Sequence, residues 1–586
     1  MKRVLILICL SLIAISALPS SRNLRDAKSI AAAFAKQTVG FVSCEDDDFI
    51  AVGTEGKRLL MGLSSSTSDY YILNISNGNG YVIVSGDDRF RDVIGYSTTG
   101  HFSTETAPTA LTHLLSTLSA EMQAAKEYYD ENGITTVESG RSLLTSVNSI
   151  APLIKTHWYQ GYPFNSQVPV DYSGNPSMYH GKASVGCVAL AMAQVMNYWK
   201  YPSRGQGGTY ANTNYSQISV NFSEQTYNWN NIAKEYGNYR DDDGVVKTGQ
   251  YTQSQADEVA KICYHIGVAV DMIWNVDGLG SSGTVEDYIP RALANQFGYN
   301  KYAKIRVRDV LGVEEFKKEI INDLSVGRPV IFNAITISGG GHSFILDGYD
   351  ASTDMFHANW GWQGTDNGYY AISVLKPASS DMGNFVCNQD AVLGVQPTEE
   401  DFGFQPSLYG CKLTLDRTSI SKGENLKVLI DTLYDYDFFF GGKIGFVVYD
   451  ANGELKLDNI NTQIEPGNLY INNTFYSPMF PRSMTAGTYT MRMVMKDTDG
   501  TIYPLHAKYG NTESWTVTVS SSTPQGTVTF VADPPVATGI ENVEITSADT
   551  QQKSAGDDAW YTLTGTRVAQ PGKGVYIHNG KKYVFR

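Results

Sequence analysis

The chain is poor in cysteine, and the few it has are scattered. Six occur in 586 residues, at 9, 44, 187, 263, 387 and 411, and none forms a CxxC pair. That spacing gives neither a disulfide scaffold nor a zinc site. Positive charge is also short. Lys and Arg total 45 against 60 Asp and Glu, a net charge of −15. With no basic stripe to meet phosphates, a nucleic-acid partner is not expected. Long apolar runs are missing after the first residues, so no membrane span is expected. The chain has no GxSxG elbow, no HExxH, no Walker loop and no DTG or DSG. The serine-elbow, zincin, P-loop and aspartic-peptidase chemistries lose their signatures with them. A single GxGxxG (Gly278, Gly280, Gly283) follows a poor parallel strand outside any βαβ unit. It reads as a glycine-rich surface loop.

What is present is organised in blocks. The length fits roughly three to five domains. "MKRVLILICLSLIAISALPSS" reads as a secretory signal, with Lys2 and Arg3 before an apolar stretch and cleavage near Ala17. That predicts export to the cell surface or beyond, and an odd number of cysteines in the mature chain. Next comes a helical stretch, "NLRDAKSIAAAFAKQ". Tyr/Ile/Val-rich strands punctuated by Asn77-Gly78 and Asn79-Gly80 follow, then an amphipathic helix closed by Gly133. These form a small α+β unit, and the polar connector near 135–150 reads as open to proteolysis. From Ile150 to about Pro397 the order is helices first, strands later, again α+β. Beyond that the chain alternates as strands. Tyr489, Met491, Met493 and Met495 share one face, and regular turns predict a sandwich of immunoglobulin type. "SSSTPQGTVTFVADPPVATG" reads as a linker before a last set of short strands.

Cys187 opens the apolar run "CVALAMAQVMNYWKYP", with Val188, Met192, Val195 and Trp199 on one helical face. Such a cysteine is either core filler or a thiol at a helix N-terminus, where unpaired N–H groups favour the reactive thiolate. His342 follows "SGGG" and opens the strand "HSFILDGYD", and Asn359 and Trp360 lie in "FHANWGWQG". By themselves these are either a glycine turn with aromatic core residues or a base and its helpers. An Asn amide oxygen can accept from one ring nitrogen and leave the other facing a thiol. An indole over that bond would shield it from water. The order of helix-start Cys, strand His and strand Asn is that of papain-like thiol hydrolases.

Residues 150–397 resemble the streptopain family of cysteine peptidases, family C10. The likeness is carried by "WYQGYPFN", "VGCVALAMAQVMNYWKYP", "GVAVDM" with "GSSG", "GRPVIF", "GGGHSFILDGYD", "HANWGWQGTDNGYY" and "NQDAVLGVQP". The resemblance implies a nucleophile at Cys187, a general base at His342, a helper at Asn359 and a neighbouring indole at Trp360. Gln160 matches the Gln of the family's Q-G-x-P-Y/F-N segment and is implied as an oxyanion donor beside the Cys187 N–H. Two departures stand near that pocket: Gly181 where some relatives carry a second Gln, and Val185 where the family has Thr. Met272, Gly280, Ser281 and Ser282 are implied as a substrate subsite welcoming apolar side chains.

The first unit is similar to the family's propeptide, which implies a zymogen inhibited by its own N-terminal part. A permanently attached accessory domain is the other reading. The tail from about Gly539 is similar to sorting domains of type IX secretion, which implies secretion machinery as a partner, against a plain last β module.

The expected organisation is multidomain: signal 1–17, α+β propeptide 18–147 and α+β papain-like peptidase domain 148–398. An all-β immunoglobulin-like sandwich 401–522 follows, then a linker with a small β sorting domain, 523–586. The expected activity is cysteine endopeptidase, acting on protein and peptide substrates with no metal or organic cofactor. Another thiol acyl-transferase or amidase, or a surface adhesin with a dead core, are the alternatives.

Overall fold

In the computed structural model the described residues are 21–38, 40–41, 44–52, 69–76, 79–137, 147–170, 181–274, 281–301, 303–335, 341–375, 389–397, 408–410, 412–435, 441–464, 470–498, 500–507, 511–534 and, in the tail, 560–562, 567–568, 574–578 and 581–585. The signal, Cys9, Cys387, Cys411, Gly280, the Asn77-Gly78 turn and most of the 135–150 connector lie outside them.

Helix α1 (Leu24–Gln37) starts at Asn23, whose side chain accepts from the N–H groups of Arg25 and Asp26. This is the capping the sequence provides for. Strands β1 (Phe49–Ala51), β2 (Tyr70–Ile75), β3 (Tyr81–Ser85) and β4 (Val93–Ser97) follow, then helix α2 (Thr109–Glu131). Helix α3 (Cys187–Trp199) is buried on all sides from Val188 to Asn197, as an apolar run without a polar face requires. Helix α4 (Gln253–Ala269) is capped by Thr252, and α5 (Tyr288–Phe297) comes next. Strand β5 (Lys304–Val307), helix α6 (Val313–Ser325), β6 (Val330–Ile335), β7 (Gly341–Asp350), β8 (Met355–Asn359), β9 (Gly368–Tyr370) and β10 (Gln389–Leu393) complete the region.

The ten strands form one sheet in the order β1-β2-β3-β4-β9-β8-β7-β6-β10-β5. The N-terminal strands therefore join the later ones directly, with Tyr96 opposite Tyr369 and Gly95 opposite Tyr370. One face of the later strands packs on α3 and α4 through Val188, Met192, Ile266, Ile331 and Ile345. The other packs on α2 and α6 through Leu111, Leu114, Phe316, Phe332 and Phe344. The sheet thus has α3 on one side and the N-terminal helix α2 on the other.

Farther along, two further sheets enclose one apolar core, and Tyr489, Met491, Met493 and Met495 all point into it. The stretch expected as a linker contributes a strand, Thr527–Ala532, that pairs with Ser514–Val519 and buries Val528 and Phe530 in this core, so the sandwich extends past 522. Residues 538–586 form a separate unit. Its described strands make a four-stranded antiparallel sheet.

Candidate active site

Gly186 sets where the thiol sits. Its φ is +93°, and a Cβ there would come 2.6 Å from Met272 Cε and 3.5 Å from Ser282 Cβ. Only glycine takes that conformation without strain and leaves that space. Cys187 follows as the first residue of α3. The Gln160 carbonyl accepts from Val185 N at 3.0 Å, and Asn165 Nδ2 donates to the Ala183 carbonyl at 3.0 Å. Those two bonds tie "WYQGYPFN" to the turn before the thiol. Ser282 Oγ donates to the Ser184 carbonyl at 2.8 Å, while Ser281 is exposed. Gln160, Met272 and Ser282 thus gather around the approach to Cys187.

His342 does not join them. Side chains of a strand alternate between faces. Ile345 of β7 belongs to the core under α3, whereas Phe344 belongs to the core under α2. Ser343 therefore shares the α3 face with Ile345, and His342 shares the α2 face with Phe344. Cys187 accordingly meets the main chain and hydroxyl of Ser343. Ser343 Oγ in turn donates to Asn333 Oδ1, and Asn333 Nδ2 donates to Asp390 Oδ1. The imidazole of His342 faces His113 of α2, with ring centroids 5.9 Å apart and planes at 81°.

Asn359 lies opposite Ile345 and so on the α3 face. Its Nδ2 donates to the Thr156 carbonyl at 2.8 Å and its Oδ1 accepts from Gly361 N. Thr156 itself donates to Gln194 of α3 at 2.9 Å. Trp360 is buried on the α2 side, 4.6 Å from the Phe344 ring, with its indole N–H donating to the Asp366 carbonyl at 2.7 Å.

The electrostatics follow from this arrangement. Burial pushes the Cys187 thiol up and the Glu286 carboxylate adds to it, against hydrogen bonds from Ser343 and the Val188 backbone. Burial, with His113, lowers His342 to about 3. Burial thus disfavours charge on both groups, and the sheet holds them on opposite faces, so they form no ion pair in the chain as folded. Of the other candidates, His265 is buried against Tyr227 and lowered to about 4 by burial, a structural residue. His113 is the neighbour of His342 that sequence reasoning missed. Its only local signal is a stripe on α2, at four-residue spacing with Thr117 and Glu121.

A thiol at the head of a buried helix on one face of a sheet, with an N-terminal part joined to that sheet and packed on its other face, is the layout of a cysteine peptidase carried with its own inhibitor. The peptidase C10 family model matches residues 158–370 and the Spi protease inhibitor model residues 23–122. Streptopain of Streptococcus pyogenes is 30% identical over 399 residues, covering 64% of this chain and 92% of that protein. The thiol protease/hemagglutinin PrtT of Porphyromonas gingivalis is 28% identical over 450 residues, 72% of this chain and 47% of that one. Among solved structures, a prointerpain A fragment of Prevotella intermedia covers 58% of this chain and 98% of its own, at 25% identity and a TM-score of 0.45. The chain belongs to the streptopain family: it is a cysteine peptidase with an inhibitor-like propeptide domain.

Proposed function

We propose that Cys187 is the nucleophile and His342 the general base of a precursor whose N-terminal part keeps them apart. The observation that carries this is the side-chain alternation of β7. Ser343 occupies the place at the thiol, and His342, one residue earlier, points to the opposite face. A one-residue shift of β7 exchanges the faces of all its side chains and brings the imidazole to the α3 side, where Asn359 already lies. The glycines before His342 present no side chain to obstruct that movement.

In the assembled site the thiolate of Cys187 attacks the peptide carbonyl, forming a C–S bond. His342 protonates the departing amine, then takes a proton from water as the acyl-enzyme is hydrolysed. The Cys187 N–H and the Gln160 side chain hold the oxyanion. Asn359 orients the imidazole there, while Trp360, packed on Phe344 on the α2 face, stays in the core behind the strand. Met272, Ser281 and Ser282, with Gly280 outside the described residues, are the candidate apolar-accepting subsite, and Ile273, next to Met272 in the chain, is exposed.

The domain limits of this reading are propeptide 18–147 and peptidase 148–398. An immunoglobulin-like sandwich running past 522 to the strand Thr527–Ala532, and a C-terminal part of sorting type beyond it, complete an exported protein. Among the described residues no helix is long and apolar enough to cross a membrane. The test is Cys187→Ala with casein as substrate. The substitution abolishes hydrolysis, and the full-length chain accumulates if maturation is autocatalytic. Unchanged hydrolysis would remove Cys187 from the mechanism.

A further inference from the structure

The stripe that α2 lays against the peptidase region has three polar members, His113, Thr117 and Glu121. Two are satisfied there. Thr117 Oγ1 accepts from Gln389 Nε2 at 3.2 Å, and Glu121 is ion-paired with Arg308, neither side chain exposed. His113 is different. Its Nδ1 is buried without a hydrogen-bond partner, and so is Nε2 of His342, the ring it meets edge to face. Two neutral imidazoles can pack this way. A charge on either would stand at the apolar core of Phe332, Phe344 and Leu114, with no carboxylate among the described residues hydrogen-bonded to either ring.

The charged groups on the surrounding elements are engaged elsewhere. On β6, the residue opposite His342 is Ala334. On α2, Glu121 belongs to Arg308. On α6, Lys317 joins Glu314 and Asp354 towards the far end of β7. Ahead of α5, Glu286 lies beside Gly341, and its charge couples to Asp287 and Asp390.

We infer that His113 is a positioning residue that latches His342 on the inactive face of the sheet, and that proton uptake by the facing imidazoles opens the latch. This rests on the reading above that His342 must cross to the α3 face to act. Burial lowers His113, and burial with His113 lowers His342. Groups whose latched values lie below their free values gain protons only on release. The latch therefore holds above the free imidazole value of about 6.5 and weakens below it, approaching about tenfold per pH unit for each proton taken up. Glu286, raised to about 6 by burial, pulls the other way. The comparison is therefore made against chains that keep every carboxylate and lack only His113.

The experiment is hydrogen exchange of the β7 segment 341–346 in full-length Cys187→Ala precursor at pH 7.5 and 5.5, with intrinsic rates removed. The same is done in the Cys187→Ala chain carrying His113→Phe or His113→Gln. The opening constant rises more on acidification with His113 than in either variant, by up to about tenfold. Equal ratios in all three chains would overturn the latch. Latency is read separately, from Cys187 alkylation at pH 7.5 in the chain with its thiol. A precursor as reactive as mature enzyme sinks the reading beneath the latch, whereas equal pH ratios in a latent precursor sink the latch alone.

Discussion

Glu121 of the N-terminal helix and Arg308 of the peptidase region form an ion pair with no exposure to water. The same carboxylate accepts from Ser373 Oγ at 3.0 Å and from Val374 N at 2.8 Å. A charge so placed is held by its partner, and removing one member strands the other.

Glu121→Ala therefore weakens propeptide docking, with a cost of about 3–5 kcal/mol for the uncompensated guanidinium. The measured outcomes are a lower melting temperature of the Cys187→Ala precursor and faster maturation of the active chain. A variant as stable and as slow to mature as the parent would show that the pair does not anchor the propeptide.

Thiol reactivity should separate precursor from mature enzyme. The Cys187 thiol is raised by burial in the full chain, and only the thiolate is alkylated. Iodoacetamide should modify Cys187 at pH 7.5 at least about tenfold more slowly in the precursor than after propeptide removal. Cys263, also a free thiol, is buried in α4 and pushed far up, so it stays unlabelled in both forms. Mass spectrometry of labelled peptides reads both.

His157 gives a pH-dependent stability term. Its ring nitrogens lie 2.8 Å from Glu235 and 3.0 Å from Asp242. Burial would lower its pKa, but the two carboxylates prevail and raise it to about 9. Because the folded value lies above the free value of about 6.5, the stabilisation is complete below about 6.5 and lost as pH rises through 9. His157→Gln should lower the melting temperature most at pH 6.5, with the deficit shrinking by pH 10. A deficit independent of pH would mean the ring acts through packing alone.

Gly186→Ala should cost about 1–3 kcal/mol through its positive φ, and more through the contact with Met272. Activity falls with it, because the thiol follows directly in the chain. Adding Met272→Ala relieves the contact but not the backbone strain. Thermal melts should then recover in part, and full recovery would assign the whole effect to crowding.

Much of the layout was legible in local pattern. The apolar run after Cys187 is the buried helix α3 ending at Trp199, and the amphipathic stretch before Gly133 is α2. The Met-rich alternation at 489–495 turned out to face a β core. Periodicity reports such features because burial imposes it residue by residue. The state of the site was not legible. Sequence places His342 on a strand, but which face it presents depends on register, and register is set by α2 and β6 packing on β7. His113 carries no motif; its role comes from contact with a strand far along the chain. Likewise, nothing local announces that β4 pairs with β9.

That last pairing has a consequence for the liberated enzyme. Departure of the N-terminal part strips Gly368–Tyr370 of its neighbour and leaves main-chain donors and acceptors unmet along one margin. The strip is three residues long and begins with glycine, too brief to recruit a second copy by strand addition or to seed fibrils. Release can thus create a new border without making the product prone to aggregate.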